Sequence, residues 1–240
     1  SIGGSNNYSM SFDGINDYMD LGTNINNYLN NNFSITAWVN MNQNSAENNI
    51  ISNSYPGVPS GFELRVAGGD IFFTYKDNNG NQYSTYRFGL NINQWYFIGV
   101  VCDGNSINLY VDSVEYSGAY TYPSYNIAPS YSFGGISPPS NSLKFGANTW
   151  GHFVNGYLDD VSIWNTNLTQ QEIQNYMNCP PTGNELGLIG CWNFEEGSGT
   201  TAIDQTSNGN DGTINGASYD TNVPSQSCQL TNASGCDSTA

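Results

Sequence analysis

The sequence is poor in positive charge. Its 240 residues hold four Lys and Arg against 20 Asp and Glu, for a formal net charge of −16. Phosphate contacts need clustered Lys and Arg, so this balance argues against a nucleic-acid partner. It argues equally against attachment to anionic membranes. No apolar run approaches the ~18 residues of a spanning helix, so no membrane insertion is expected. Histidine is nearly absent: His152 stands alone in TWGHFVNG. No GxSxG elbow accompanies it, which argues against a Ser-His-Asp hydrolase. A lone His among aromatics reads as a packed or hydrogen-bonded residue. No CxxC pair occurs, so a zinc site is not expected. No leader is visible before SIGGSNNYS, and the chain stops at GCDSTA. It reads as a piece of something longer, its leader or upstream modules removed.

Abundance lies in Tyr (17), Gly (27) and uncharged polar residues. This mix is typical of extracellular β-proteins and recognition surfaces. Apolar residues alternate with a period of two. In SITAWVNM, Ile35, Ala37, Val39 and Met41 share one face, and Thr36, Trp38 and Asn40 share the other. FELRV, DIFFTY, WYFIGVV, INLYVD and YLDDVSIW are further strands, separated by turn signals such as AGGD and CDGN. The fold class is therefore all-β, a two-sheet antiparallel jelly-roll sandwich. One short helix is expected near 168–178. Thr169 and Glu172 form its capping box, and Ile173, Tyr176 and Met177 follow at helical spacing.

Five cysteines are present. Cys102 and Cys191 lie in apolar strands and read as small buried hydrophobes. Cys179 and Cys228 flank the C-terminal segment and are the expected disulfide. Cys236 is left to seek a partner beyond the visible end.

The stretch SFDGINDYMDLG crowds Asp13, Asn16, Asp17 and Asp20 together with no Lys or Arg near. Either it is a polar turn, or a hard cation supplies the missing charge. SMSFDGINDYMDLG, FSITAWVN, NQWYFIGVVCDGNSINLYVDS and NGYLDDVSIWNTNLTQQEIQ follow in this order. Together they resemble the laminin-G-like, concanavalin-A-like jelly-roll modules of secreted bacterial proteins, with pentraxins as more distant relatives. The resemblance spans roughly residues 8–178. It implies a β-sandwich, bound calcium, and a role in carbohydrate or protein adhesion. One departure is LIGCWNFEEGSGTTAIDQTSNGNDGTING, which resembles the segment that usually opens such a module but stands here at the C-terminus. The expected domain is 1–228, with 186–228 folding back onto it. Residues 229–240 would be a tail or the start of a further module.

Calcium takes six to eight hard oxygens. The expected set is Asp13, Gly14, Asn16 and Asp17, with Gly14 allowing a sharp turn. The resemblance adds Asp159 and Asp160 as the complement. Adjacent strand residues point to opposite faces, so both acids can reach one ion only across a bulge. A second acidic stretch, DQTSNGNDG (Asp204, Asn208, Asn210, Asp211), lacks EF-hand spacing and reads as a plain turn.

No catalysis is expected. Hydrolases of this fold carry E-x-D-x-x-E on one strand, and none of the seven Glu residues fits that pattern. Sugar recognition would instead use aromatic faces. Tyr120, Tyr122, Tyr125 and Tyr131 fall in a Pro- and Gly-rich stretch that reads as a long loop. Tyr55 in YPGVPSG and Tyr83 and Tyr86 in NQYSTYRF would add to them. The expectation is a calcium-binding, non-catalytic recognition module of a secreted or cell-surface protein. Its partners would be a glycan or other cell-surface ligand and neighbouring modules of the same polypeptide. The alternatives are a spacer repeat of a surface fibre and a carbohydrate-binding appendage of a glycoside hydrolase.

Overall fold

Alternating strands bury their apolar faces by stacking two antiparallel sheets. The computed structural model describes residues 6–29, 32–54, 61–77, 82–85, 88–104, 106–116, 119–121, 126–128 and 141–228. One sheet runs, in spatial order, β11 (Val114–Tyr116), β10 (Ile107–Val111), β9 (Trp95–Asp103), β3 (Asn32–Met41), β15 (Asn155–Trp164), β1 (Ser9–Asp13) and β19 (Ser218–Asp220). In the same sheet β16 (Leu188–Trp192) also pairs with β15. The other sheet runs β13 (Asn126–Ala128), β12 (Ala119–Thr121), β7 (Gln82–Thr85), β6 (Asp70–Lys76), β5 (Gly61–Ala67), β4 (Asn48–Ser52), β14 (Lys144–Phe145), β2 (Tyr18–Asp20), β18 (Gly212–Asn215) and β17 (Thr201–Ala202). There β8 (Phe88–Gly89) pairs with β6. The architecture is a jelly-roll sandwich.

The core follows the alternation. Ile35, Ala37, Val39 and Met41 of β3 meet Phe62, Leu64 and Val66 of β5 and Ile71, Phe73 and Tyr75 of β6 between the sheets. The other face of β3 is buried too. Trp38 joins Phe97, Tyr110 and Trp164 in a second cluster, where the Trp38 and Phe97 rings lie 5.3 Å apart. Helix α1 (Gln170–Asn178) covers this cluster with Ile173, while Tyr176 lies 4.8 Å from the Trp164 ring. The helix starts where Thr169 and Glu172 cap each other's backbone reciprocally.

The C-terminal segment is part of the sandwich. β16 lies beside β15, β18 beside β2, and β19 beside β1. Trp192 is wholly buried, with its Nε1 donating to the Asn210 carbonyl at 3.1 Å and its ring edge-on to Phe145 at 5.2 Å. The stretch read as one long loop instead contains the strands β12 and β13. Repeated polar and Pro residues hide a period of two over elements only three residues long. Tyr83 is another correction: it belongs to the core between the sheets. Residues 229–240 lie outside the described residues.

A disulfide joins Cys179 to Cys228 across 49 residues of sequence. Cys102 and Cys191 are free and buried, and desolvation pushes each thiol up to about 12, which leaves them unreactive. The bridge closes the loop that carries β16 to β19. Replacing both Cys179 and Cys228 with Ser is expected to cost about 2–4 kcal/mol, read by urea unfolding. An unchanged midpoint would show that strand pairing alone holds the segment.

Candidate functional site

The register of β1 on β15 places the two acidic stretches relative to each other. Asp13 faces Asn155, and Met10 faces Leu158, so Asp13 and Asp159 stand four residues apart along the strands. At ~3.4 Å per residue this separates them by roughly 13 Å. The six residues Asp13, Gly14, Asn16, Asp17, Asp159 and Asp160 therefore do not form one coordination shell. The FDGINDY loop satisfies itself. Asp13 Oδ1 accepts from the Ile15 and Asn16 amides at 2.7 and 3.3 Å, and Asp17 Oδ2 accepts from the Asp13 amide at 3.0 Å. Gly14 turns the chain at φ +80°. This is local hydrogen bonding of a turn. Asp204 is likewise saturated: its two oxygens accept from the Cys191, Thr206 and Asn210 amides and from the Thr206 hydroxyl.

Asp159 and Asp160 are different. A β-bulge between Asp159 and Ser162 breaks the pairing with β3, and Asp160 takes φ +44°. The bulge lets both carboxylates meet the two chain ends. Asn6 Nδ2 donates to Asp159 Oδ2 at 3.0 Å and to Gln226 Oε1 at 3.3 Å, while Gln226 Nε2 donates to Asp160 Oδ2 at 2.6 Å. Asn6 Oδ1 is buried without a partner. Among the described residues no cation pairs with either acid. Nor do three His, Cys, Asp or Glu side chains converge as a metal group. Desolvation pushes the Asp160 carboxyl up to about 7, with the Gln226 hydrogen bond opposing and the Glu195 charge adding. Desolvation, and then the Asp160 charge, hold Asp159 well above the usual range. Both acids are held by N–H donors, from Asn6, Gln226 and the Asp160 amide, and Asn6 Oδ1 is the oxygen of this group left without a partner.

A second feature sits on the outer face of the larger sheet. A pocket of roughly 280 Å³ is lined by Glu63, Arg65, Thr74, Lys76 and Gln82 of β5–β7, with Trp150 at its side. The strand side chains point outward because their neighbours Phe62, Leu64, Phe73 and Tyr75 point into the core. Trp150 is 44% exposed, high for so large an apolar residue. It stands on the turn between β14 and β15. Asn148 fixes that turn: its Oδ1 accepts from the Trp150 and His152 amides at 3.0 and 3.1 Å. Asn148 Nδ2 lies 3.4 Å from Glu63 Oε1, and Thr149 Oγ1 donates to the Ser54 carbonyl at 3.2 Å. Arg65 Nη1 contacts Glu47 at 3.1 Å and Glu63 at 3.5 Å. Burial pushes the Glu63 carboxyl up against the pull of Arg65.

Of the expected aromatic ligands, Tyr120 lies on β12, with its side chain outside the described residues. Tyr55, Tyr122, Tyr125, Tyr131 and Tyr86 also lie outside them. Trp150 escapes sequence reading. Its signal was a Trp beside Gly in TWGHF, between two short strand patterns, where an aromatic has no core to join.

Sheets, bulge and pocket define a sandwich of the concanavalin A kind. The Laminin G 3 family profile, described as the concanavalin A-like lectin/glucanases superfamily, matches residues 13–174, and the chain belongs to this family. Among solved structures, a Bacteroides ovatus protein whose description proposes carbohydrate binding aligns with TM-score 0.64 and 18% identity. The alignment covers 90% of this chain and 60% of that one, so the chain spans less than two thirds of its relative's length. Domain 4 of AbnA, an extracellular arabinanase of Geobacillus stearothermophilus, solved with arabinotriose, aligns at 0.46 and 17% identity over 61% of this chain and 66% of that one. The heptameric SAP-like pentraxin of Limulus polyphemus aligns at 0.47 and 14% identity over 71% and 82%. No curated protein matches.

The acid pair generates a pH prediction. Unfolded, these carboxyls titrate near 3.8; folded, Asp160 does so near 7. Between those values the folded state holds more protons, so stability falls as pH rises through the window. The slope approaches about 1.4 kcal/mol per pH unit for each proton. In EDTA, melting temperature is expected to drop from pH 4 to pH 8 (~4 units). Asp160→Asn, a residue that tolerates positive φ, is expected to flatten that drop and to melt higher than wild type at pH 8. Parallel profiles for the two proteins would refute the assignment.

Proposed function

We propose that this chain is a non-catalytic carbohydrate-binding module of a secreted or cell-surface protein, with the Trp150 pocket as its sugar site. One observation carries the reading: a half-exposed Trp, fixed by the Asn148 turn, flanks a pocket lined by charged and hydroxyl side chains. Sugars offer that pairing, an apolar ring face for the indole and hydroxyls for the polar rim. The Bacteroides ovatus relative's description lends support at the level of ligand class. The disulfide supports an oxidising compartment, and adhesion is the matching role.

Catalysis is disfavoured by the placement of acids. Glycoside hydrolysis needs two carboxylates facing each other across the scissile bond. Glu47 and Glu63 both hold the same Arg65 Nη1, so a guanidinium fills the space between them. Calcium enters the reading only as a counter-ion at Asp159 and Asp160. It would bind at the other sheet and stabilise the fold without touching sugar.

Trp150→Ala is expected to weaken glycan binding by about 2 kcal/mol, some ~30-fold, with stability changed by no more than about 0.5 kcal/mol. Glycan-array screening followed by calorimetry checks both. No binding to any glycan by the wild type would leave the spacer role instead. At pH 8, added calcium is expected to raise the melting temperature of the wild type and to leave Asp160→Asn unmoved. An unshifted wild type would remove calcium from the account.

A further inference from the structure

The chain has only four cationic side chains, and two of them, Arg65 and Lys76, line this one pocket. They differ in their partners. Arg65 is neutralised by Glu47 and Glu63. Among the described residues Lys76 has no carboxylate within 4.0 Å. The same holds for Lys144, whose Nζ lies over the Tyr18 ring at 4.5 Å, but of the two only Lys76 lines the pocket.

Register explains how the omission is built. Across the sheet Lys76 faces Gly61 on one side and Gln82 on the other. Gly61 lines the pocket with backbone alone, since Asn53 and Ser54 fill the space a Cβ would take, and it brings no carboxylate to the ammonium. The sequence neighbour Asp77 turns to the opposite face, where Tyr83 Oη lies 3.4 Å from its Oδ2. Lys76 Nζ instead lies 5.9 Å from the centre of the Trp150 ring. The ammonium thus stands beside the aromatic platform, near enough to Glu63 to feel its charge but with no carboxylate in ion-pair contact.

We propose that the pocket selects acidic saccharides, sugars carrying a carboxylate such as uronates or sialates, with Lys76 contacting the carboxylate while Trp150 carries the ring. The proposal rests on the sugar-binding reading above and specifies its ligand class. The remaining polar groups suit a sugar's hydroxyls: Glu63 accepts, Gln82 and Thr74 both donate and accept. The net charge of −16 repels anions at long range, but this is screened beyond ~8 Å at physiological salt, whereas a direct contact is not. The contact therefore discriminates at the pocket, where an aromatic face and hydroxyl-binding groups stand beside the ammonium.

The experiment compares matched ligands. Glucuronate-, galacturonate- and sialate-bearing oligosaccharides are each paired with their neutral methyl esters, and binding is measured by calorimetry at 150 mM salt. At least one acid form is expected to bind about tenfold tighter than its ester, as a charge-assisted hydrogen bond allows. Lys76→Gln is expected to erase that preference, so that the acid form binds no more tightly than its ester. Trp150→Ala should weaken acid and ester alike. Equal binding of acid and ester, or a preference that survives Lys76→Gln, would overturn the acidic specificity and leave sugar binding standing. Failure of both forms, together with an empty array of neutral glycans, would overturn both. Melting curves confirm that each variant is folded.

Discussion

Strand β15 is the element on which the rest depends. Its ten residues pair with β3, β1 and β16, strands drawn from the start, the early middle and the end of the chain. Such pairings are non-local and carry loop-closure entropy that only burial can offset. The offset is visible along the strand. Leu158, Val161 and Ile163 enter the core between the sheets, and Trp164 anchors the cluster under α1. Both chemically distinctive features hang from this strand. The Trp150 turn precedes it, and the Asp159–Asp160 bulge interrupts it. A bulge in so central a strand costs a break in the ladder, and here the break aims two acids at the chain ends.

The first and last strands are neighbours, since β19 lies beside β1. A module whose opening segment has moved to the C-terminus would close in this way. The C-terminal segment places β19 and β17 at sheet edges, sets β18 between β2 and β17 and β16 beside β15, and supplies Trp192, Phe194, Ala202 and Ile214 to the core. Asn6 and Gln226 then meet over Asp159 and Asp160, so the buried acids are sealed by amides from opposite ends of the sequence. Neutral amides can hydrogen-bond a carboxylate but cannot cancel its charge, which leaves the desolvation cost largely in place.

Much of the fold was legible from residue order. Alternation in SITAWVNM separated the two faces of β3, because a half-turn per residue is a property of any extended chain. The capping box marked the start of α1 because its two side chains satisfy amides that every helix leaves unpaired. The site was less legible. Asp13 and Asp159 both lie on paired strands, yet pairing says nothing of register, and register puts them four residues apart. Lys76, Gly61 and Gln82 are unremarkable in sequence and become a pocket only through β5–β6–β7 alignment. Tyr83 looked like a loop aromatic because DNNGN precedes it, but one strand position later the pleat turns it inward.

The acid pair and the proposed sugar pocket occupy different sheets. The acid pair is carried by β15, and the pocket by β5 to β7 on the far side of the apolar core. Charges at the two places act on one another through salt-screened solvent or through packed side chains that hold no formal charge. Sites with no shared partners behave additively, so a change in one leaves the other's free energy nearly untouched. A domain built this way can vary its pocket residues, swapping Lys76 or Gln82 for other side chains, while β15 and its neighbours keep the sandwich closed. The four scarce bases bear on this point. Of the described bases, Glu47 and Glu63 hold Arg65, Lys144 lies over the Tyr18 ring, and Lys76 beside Trp150 is the pocket cation outside any ion pair, which is why the proposed specificity rests on it.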